Sequence, residues 1–297
     1  MTKSINGLLL VDKPQGLTSH DVVARVRRIL RERRVGHAGT LDPMATGLLV
    51  IAVGASTRLL RFAQDEDKIY TGRVQLGTAT DSLDADGAVT AEASVPTISQ
   101  ADADAAAARF LGDIDQVPPM VSAIKVGGRR LHELAREGIE VERAPRRISI
   151  HSFTLTPTDD PTIWEFRVVC SVGTYVRVLL AEWASALGTL GHLVALRRES
   201  SGGHSVDDAL TIEDLETAVA HDQSVLAPPR AFVEQLPELT LNEQEIRAVR
   251  MGQRFFRAEM LEGPEIAALD AHGALVAMLR RREDYYQPDV VFGVVEA

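Results

Sequence analysis

The sequence predicts an α+β protein with a mixed, largely antiparallel central sheet that is flanked by helices. Apolar runs of strand length are interspersed with capped, amphipathic segments of helical length, which indicates both kinds of element. These segments follow one another irregularly, without a regular strand–helix–strand alternation, so an all-parallel sheet is not expected. With 297 residues the chain is long enough for one large domain and one small one.

The N-terminal part begins with a strand, and a helix follows over about 20–34. Thr18 or Ser19 is placed to cap this helix, and its valines fall on one face. The strands expected in this part are GLLLVDKP (7–14), LLVIAVG (48–54) and DKIYTGRVQLG (67–77). An Asp-rich segment, TATDSLDADGAV (78–89), follows the last of them. It resembles a calcium loop only in part, because Ser82 takes the first ligand position and the closing Glu is missing, so we expect a hairpin turn.

The middle of the chain contains an Ala-rich helix from Thr97 to about residue 111 and a strand in WEFRVVCSVG (164–173). The next helix, TYVRVLLAEWASALG (174–188), has Thr174 as its expected N-cap and Gly188 as its stop. TIEDLETAVA (211–220) is a further helix with Thr211 as its cap.

A proline-rich segment, LAPPRAFVEQLP (226–237), is the best linker candidate. It is followed by a helix near 242–251 and by strands in ALVAMLRR (274–281) and VVFGVV (290–295). The sequence therefore predicts a large domain over 1–235 and a small, mostly β domain over 236–297.

Composition excludes several classes of protein. The single cysteine, Cys170, leaves no partner for an internal disulfide and no zinc site with two Cys ligands, which indicates a reducing, cytoplasmic setting. Neither a membrane-spanning run nor a signal peptide is expected. A P-loop, a G-x-S-x-G elbow and an H-x-x-x-H pair are all missing, so nucleotide hydrolysis, serine hydrolysis and metallohydrolase chemistry are not indicated.

The charge is unevenly distributed. A net charge of −10 and a pI near 5.3 argue, for the chain as a whole, against nucleic-acid binding. The segment 25–34 nevertheless carries six Arg and one Glu, and the segment 125–147 carries seven basic and four acidic residues. A solvated surface explains either run by itself. Because salt screens charges beyond roughly 8 Å, an acidic average still allows a basic face toward RNA.

One carboxylate stands in an unusual segment, GHAGTLDPMATG (36–47). Three glycines and Pro43 make this segment a loop, and Asp42 is its one acid, directly before a buried strand. Asp before Pro often closes an Asx-turn, which is the simpler interpretation. The other interpretation is a catalytic carboxylate on a rigid scaffold. The segment alone leaves both open.

Two other segments offer partners for Asp42. Arg177 lies near the start of a predicted helix, and a guanidinium beside a carboxylate lowers its pKa by about 1–3 units. An ionised carboxylate of this kind serves as a nucleophile or general base. Tyr70 and Tyr175 are two of only four tyrosines. Core or sheet-face tyrosines and a surface ion pair explain the same residues equally well, and the sequence does not say that they meet.

Six long stretches of the chain, in this order, resemble the TruB-type bacterial tRNA pseudouridine-55 synthases. They are DKPQGLTSHDVV (12–23), GHAGTLDPMATGLLVIAVG (36–54), KIYTGRVQLGTATDSLDADG (68–87), PPMVSAIKVGGRRLHELAREGIEVER (118–143), CSVGTYVRVLLAEWASALG (170–188) and ALRRESSGGHSVDDAL (195–210). The resemblance implies the pseudouridine synthase fold. It also implies an isomerase that converts a T-loop uridine of tRNA to pseudouridine without metal or organic cofactor.

The resemblance assigns roles residue by residue. Asp42 matches the catalytic aspartate of the G-T-L-D-P motif, and Arg177 matches the arginine that pairs with it. Tyr70 matches the tyrosine that stacks on the uracil of a flipped base, and His37 matches the histidine that fills the vacated stack. Three further residues, on the same basis, are expected to line or support substrate binding: Tyr175, Leu196 and Lys13.

The resemblance also implies how the RNA is held. The segment of about 118–145 matches a thumb over the T-loop, whose phosphate contacts would come from Lys125, Arg129, Arg130 and Arg136. The tail from 236 corresponds to a PUA-like RNA-binding domain. We expect tRNA as the partner, no required protein partner and a monomer.

Two other functions remain open at this point. The first is a tRNA-binding folding chaperone in which catalysis is incidental, and the second is a guide-RNA-dependent pseudouridine synthase. An intact set of Asp42, Tyr70 and Arg177 argues against lost catalysis. The thumb segment and the lack of a basic tail argue against guide dependence.

Overall fold

The structure is a computed structural model that describes residues 5–63, 67–122 and 124–292. In this part of the chain the strands are β1 (Gly7–Lys13), β2 (Val35–His37), β3 (Thr46–Val53), β4 (Lys68–Leu76), β5 (Thr78–Thr80), β6 (Val89–Glu92), β7 (Gly112–Gln116), β8 (Lys125–Val126), β9 (Arg129–Arg130), β10 (Arg146–Pro157), β11 (Ile163–Cys170), β12 (Gly191–Ser201), β13 (His204–Ser205), β14 (Glu238–Thr240), β15 (Phe255–Phe256), β16 (Glu265–Leu269), β17 (Leu275–Arg281) and β18 (Tyr285–Val291). The α-helices are α1 (Ser19–Leu30), α2 (Leu60–Ala63), α3 (Gln100–Ala108), α4 (Leu131–Arg136), α5 (Val176–Ala186), α6 (Ile212–Ala220) and α7 (Glu243–Arg250).

The central sheet has the strand order β1-β3-β12-β4-β11-β10-β7, with β2 paired to β3 and β13 to β12. Every neighbouring pair along this order is antiparallel except β3 and β12, which are parallel over a short stretch. This confirms the predicted mixed, largely antiparallel sheet with flanking helices.

Strand β3 is buried on both faces from Gly47 onward, as its continuous apolar run over 48–53 predicts. Leu49 and Ile51 pack with α1, whose Val22, Val23 and Val26 form the predicted apolar stripe. The alternate residues of β3 face the other way, into a cluster shared with the C-terminal segment. A second core lies under α3 and α5, where the indole rings of Trp164 and Trp183 meet edge to face at 5.9 Å.

A second sheet, of order β14-β16-β17-β18-β15, follows the main one. Met278 and Phe292 of this region belong to the apolar cluster that also contains Leu48 and Val50 of β3. The predicted linker, 226–237, connects the two sheets and is itself packed, since Phe232 is almost fully buried. The division into domains 1–235 and 236–297 stays a prediction.

Several predicted helix ends are corrected by the structure. Helix α1 ends four residues early, because Arg31 takes a left-handed conformation with φ 52°. Helix α3 is shorter than expected and is capped by Ser99 rather than Thr97. Thr174 does not cap α5, because its hydroxyl donates to the Ser171 carbonyl at 2.9 Å; Tyr175 is the N-cap residue instead.

Other predicted ends are confirmed. Thr18 closes a capping box with Asp21, and Thr211 accepts from the Asp214 amide. The strand predicted at 290–295 is the end of the longer β18, and its last three residues lie outside the described part. The Asp-rich segment is a turn between β5 and β6, as expected. Among the described residues no helix is long and apolar enough to cross a membrane.

Candidate active site

The loop that carries Asp42 lies between β2 and β3 and is fixed from the start of α1. Ser19 is buried, and its hydroxyl both accepts from the Leu41 amide at 2.8 Å and donates to the Leu41 carbonyl at 3.1 Å. On the other side of Asp42, the Pro43 carbonyl accepts from the Gly16 amide at 2.8 Å. The motif at 12–23 is therefore the support of the motif at 36–47.

Lys13 stabilises the same loop through hydrogen bonds to backbone carbonyls. Its fully buried ammonium group donates to the carbonyls of Pro14 at 3.0 Å, Leu17 at 2.7 Å and Pro43 at 3.3 Å. Burial lowers the pKa of Lys13 to about 8, and the nearby Asp42 carboxylate opposes this shift. Lys13 does not line the cavity beside Asp42. The structure thus places it behind the loop, where it holds the backbone.

Arg177 joins the Asp42 carboxylate to a second, buried carboxylate. Its Nε lies 3.0 Å from Asp42 Oδ2, and its Nη1 lies 3.2 Å from Asp84 Oδ2. The remaining donors reach the carbonyls of Ser82 at 2.6 Å and Val121 at 3.0 Å. The Arg177 side chain is only 4% exposed, whereas that of Asp42 is 37% exposed. Arg177 therefore holds the Asp42 carboxylate from the protein interior, and the other side of this carboxylate is open to solvent.

The pKa of Asp42 shifts in the direction opposite to the predicted one, so that prediction was wrong. Burial raises the pKa of Asp42 above its ordinary value and outweighs the opposing effect of Arg177. Asp84 raises this pKa further. The physical reason is that one guanidinium is shared by two carboxylates, so its charge does not fully compensate the desolvation of Asp42. Among the described residues the hydrogen-bond partner of the Asp42 carboxylate is Arg177, not the backbone amide of an Asx-turn.

Asp84 was missed as a site residue, because it stands in a segment that the sequence identified only as a turn. Its Oδ1 accepts from the Ser82 hydroxyl at 2.5 Å and from the Asp86 amide at 3.1 Å. The side chain is buried, which is rare for an acid unless it is paired, as Asp84 is with Arg177. No local sequence signal separates it from Asp81 or Asp86, since only the tertiary fold brings it to Arg177.

A cavity of about 270 Å³ opens beside Asp42 and Arg177. Its walls include three of the predicted substrate-binding residues, Tyr70, Tyr175 and Leu196. Tyr70 and Leu196 are buried on the adjacent strands β4 and β12. Burial raises the pKa of both tyrosines, and a hydrogen bond with Ser122 opposes the shift at Tyr175. Residues of the cavity wall that the sequence analysis missed include Lys68, Ser122 and Arg198.

His37 lies on β2, outside the residues that line this cavity. Its ring meets that of His20 edge to face at 5.5 Å, so α1 helps to place it. Burial lowers the pKa of His37, and the nearby His20 lowers it further, which favours the neutral imidazole.

The predicted thumb contains a short hairpin of β8 and β9 followed by α4. Arg129 is half-exposed and pairs with Glu137. The side chains of Lys125, Arg130 and Arg136 lie outside the described part of the structure, which gives only their backbone. At the start of this segment the Val121 carbonyl accepts from Arg177, and Ser122 is hydrogen-bonded to Tyr175.

Within the described ranges no group of three or more His, Cys, Asp or Glu side chains is arranged to hold a metal ion.

The largely antiparallel sheet thus presents a loop-borne carboxylate, paired with a buried arginine, beside a tyrosine-lined cavity. Solved structures share the fold. A chain of a Cbf5–Nop10–Gar1 complex superposes with a TM-score of 0.74 at 24% identity, over 97% of this chain and 84% of that one. A chain of an archaeal box H/ACA Nop10–Cbf5 complex gives a TM-score of 0.72 at 24% identity, over 98% of this chain and 87% of that one.

Sequence comparison identifies the family. The sequence model described as "TruB family pseudouridylate synthase (N terminal domain)" matches residues 27–176. A protein of Psychrobacter cryohalolentis named tRNA pseudouridine synthase B is 45% identical over 84% of this chain and 71% of its own length. A protein of the same name from Streptococcus sanguinis is 41% identical over 97% of this chain and 100% of its own length. The chain belongs to the TruB family of pseudouridylate synthases, which confirms the resemblance seen in the motifs.

Proposed function

We propose that this enzyme converts a uridine in the T-loop of tRNA, at position 55, to pseudouridine, with Asp42 as the catalytic carboxylate. The names of the relatives support tRNA as the substrate. The observation that carries the role of Asp42 is its position, because its carboxylate is held at 3.0 Å by Arg177 and faces the cavity.

The cavity suits a single base that has left the RNA stack. An enzyme that acts on a base inside a folded RNA must extrude it, at a cost of a few kcal/mol, into a closely fitting pocket. A volume of about 270 Å³ and an aromatic wall fit one pyrimidine better than a stacked helix. In this proposal Tyr70 stacks on the uracil, and Tyr175 and Leu196 close the pocket around it. His37, outside the cavity, occupies the gap left in the RNA stack.

The reaction requires one well-placed carboxylate and little else. The bond between C1′ of the ribose and N1 of uracil breaks, the base turns, and C5 bonds to C1′ as its hydrogen leaves as a proton. Asp42 acts on the sugar or on the base, and in each case as the carboxylate anion. The buried Arg177 keeps that anion oriented and partly balances its charge. We expect the reaction to need neither a metal nor an organic cofactor.

The rest of the RNA is held outside the cavity. Lys125, Arg129, Arg130 and Arg136 of the thumb contact phosphates, which position the RNA without reading its sequence. The C-terminal region 236–297, with its five-stranded sheet, acts as the PUA-like RNA-binding domain. The enzyme works as a monomer and without a protein partner.

The test is release of tritium from C5-labelled uridine in an unmodified tRNA transcript, comparing the native enzyme with Asp42→Asn. Binding of the transcript is measured for both. Release by the native enzyme alone, at equal binding, supports the proposal. Equal release from both removes Asp42 from the chemistry. Tight binding without release from either favours an RNA chaperone, and release only after a guide RNA is added favours a guide-dependent enzyme.

A further inference from the structure

Arg198 is a fully buried arginine whose described partners are all uncharged. Its Nε donates to the Leu48 carbonyl at 2.7 Å, and its Nη2 donates to the Gly39 carbonyl at 3.2 Å. A third hydrogen bond joins it to the Tyr70 hydroxyl. The side chain has no measurable solvent exposure, yet it forms part of the cavity wall. Arg198 thus connects strand β3, the loop of Asp42 and Tyr70 at one point.

The adjacent arginine, Arg197, differs in having a carboxylate partner. Arg197 forms a two-pronged ion pair with the Asp12 carboxylate, at 3.1 and 2.8 Å, and is 38% exposed. Among the described residues no carboxylate lies within 4.0 Å of Arg198. An uncompensated buried charge costs several kcal/mol, and a neutral donor would serve two carbonyls and a phenol as well. Hydrogen bonding alone therefore does not explain why a charged side chain occupies this position.

The charge of Arg198 acts on the groups around the cavity. It lowers the pKa of Lys13, of His37 and of the Tyr70 hydroxyl, so all three groups lie within its field. The charged residues of the cavity wall are Asp42, Lys68, Arg177 and Arg198, three cations and one carboxylate. Asp42 and Asp84 share Arg177, whereas Arg198 on β12 has no carboxylate among its described partners and adds a positive charge to this side of the cavity.

We propose that Arg198 stabilises the negative charge that the uracil base acquires during the isomerisation. When the C1′–N1 bond breaks, its electron pair stays with the base, which becomes an anion. C5 then supplies the pair that bonds to C1′, the C5 hydrogen leaves as a proton, and N1 takes up a proton. If Asp42 instead adds first to the base, the base also carries the charge. A guanidinium fixed in the wall compensates this charge without reorganising.

The inference rests on the proposed placement of the base in this cavity. Arg198→Gln is expected to lower the single-turnover rate about 100-fold, the size found for a lost stabilising donor. Arg198→Lys keeps the charge and is expected to lose clearly less. Arg197→Gln on the same strand is the matched control, with little loss of rate. The Kd for the transcript should stay unchanged in the two Arg198 variants, since Arg198 has no exposed surface for RNA.

A second substrate distinguishes the loss of charge stabilisation in Arg198→Gln from a structural defect of that variant. Fluorine at C5 withdraws electrons and stabilises the anion of the base, so 5-fluorouridine needs less help from Arg198. The Arg198→Gln defect, measured as consumption of the N-glycoside in one turnover, should therefore shrink at least tenfold on a 5-fluorouridine transcript. A structural defect would slow both transcripts equally. If Arg198→Gln does not fold, Arg198→His replaces it, because its imidazole loses its charge above about pH 6.5 and the 5-fluorouridine advantage should then appear.

Equal losses for the Gln and Lys variants, with no relief by 5-fluorouridine, would overturn the role of Arg198. That result is distinct from failure of the proposed function, which would show as an active Asp42→Asn variant. An inactive Asp42→Asn beside a fully active Arg198→Gln would reject only the role of Arg198.

Discussion

Gln116 holds the backbone of Tyr175 at both of its polar groups. Its Oε1 accepts from the Tyr175 amide at 2.8 Å, and its Nε2 donates to the Tyr175 carbonyl at 3.2 Å. Gln116 is buried at the end of β7, and Tyr175 is the N-cap residue of α5, with no side-chain capping bond of its own. One amide therefore fixes the start of the helix that carries Arg177.

Removal of this amide should affect activity beyond its effect on stability. Gln116→Ala leaves the Tyr175 amide without its partner in a buried place, at a cost of about 1–3 kcal/mol in the free energy of unfolding. We expect kcat to fall as well, because Arg177 lies two residues into the loosened turn. Gln75→Ala is the control: its side chain donates to Thr162 at 2.8 Å, and we expect it to reduce stability while leaving kcat unchanged. Urea unfolding and single-turnover kinetics measure both effects, and equal kcat losses would refute the role of Gln116.

Asp84 should set the acid limit of activity. Its charge raises the pKa of Asp42, so Asp84→Asn is expected to lower that pKa and to move the acid limb of the pH–rate profile to lower pH. At neutral pH the same variant should lose kcat, because Arg177 gives up one of its two carboxylates. Asp86→Asn changes an exposed acid two residues away and should alter neither the limb nor kcat. An acid limb that stays fixed in Asp84→Asn would contradict this coupling.

The Asp42 carboxylate, which we propose as the catalytic group, should destabilise the folded protein at neutral pH. Burial raises the pKa of Asp42 in the folded state, so above that pKa the ionised group favours unfolding. We expect Asp42→Asn to melt at a higher temperature than the native protein at neutral pH. The difference should shrink as the pH falls through the range in which Asp42 takes up its proton.

Asp21→Asn provides the control of opposite sign. Hydrogen bonds from Thr18 lower the pKa of Asp21, so its contribution to stability is present at neutral pH and is lost on acidification. Melting curves of both variants across the acid range check the pair. A lower melting temperature for Asp42→Asn at neutral pH would show that its pairing with Arg177 outweighs burial.

Gly72 should tolerate no side chain, because β4 and β12 approach closely beside the cavity. A Cβ at this position would collide with the Ala195 carbonyl and come within 2.9 Å of the Phe166 ring. Gly72→Ala is expected to destabilise the fold by at least ~1–3 kcal/mol and to displace Leu196, the cross-strand partner of Gly72. Gly36→Ala is the milder comparison, since its Cβ would meet the movable end of Leu60 at 2.8 Å and the Thr57 methyl group at 4.0 Å, without touching backbone. Similar urea midpoints for the two variants would show that the sheet can widen here.

The sequence alone predicted the class of the main sheet and four of its nine described strands, β1, β3, β4 and β11, because apolar periodicity and turn residues are local signals. It missed the two longest strands, β10 and β12. It also predicted the caps Thr18 and Thr211, because a cap hydroxyl accepts from a backbone amide only three residues further along the chain. The Thr174 cap was wrong because a contact with Ser171 and the clamp of Gln116 replaced it. Such competition between hydrogen-bond partners cannot be read from spacing.

For the candidate site, the motifs determined which residue types the chain offers, with Asp42 on a rigid loop and Arg177, Tyr70, Tyr175 and Leu196 elsewhere. Only the tertiary structure decided that these five surround one cavity, that His37 and Lys13 lie outside it, that Arg198 lines it and that Asp84 pairs with Arg177. It also reversed the expected pKa shift of Asp42. The physical reason is that burial and charge depend on everything packed around a group, and segments such as 42, 84, 177 and 198 meet only when the whole sheet has formed.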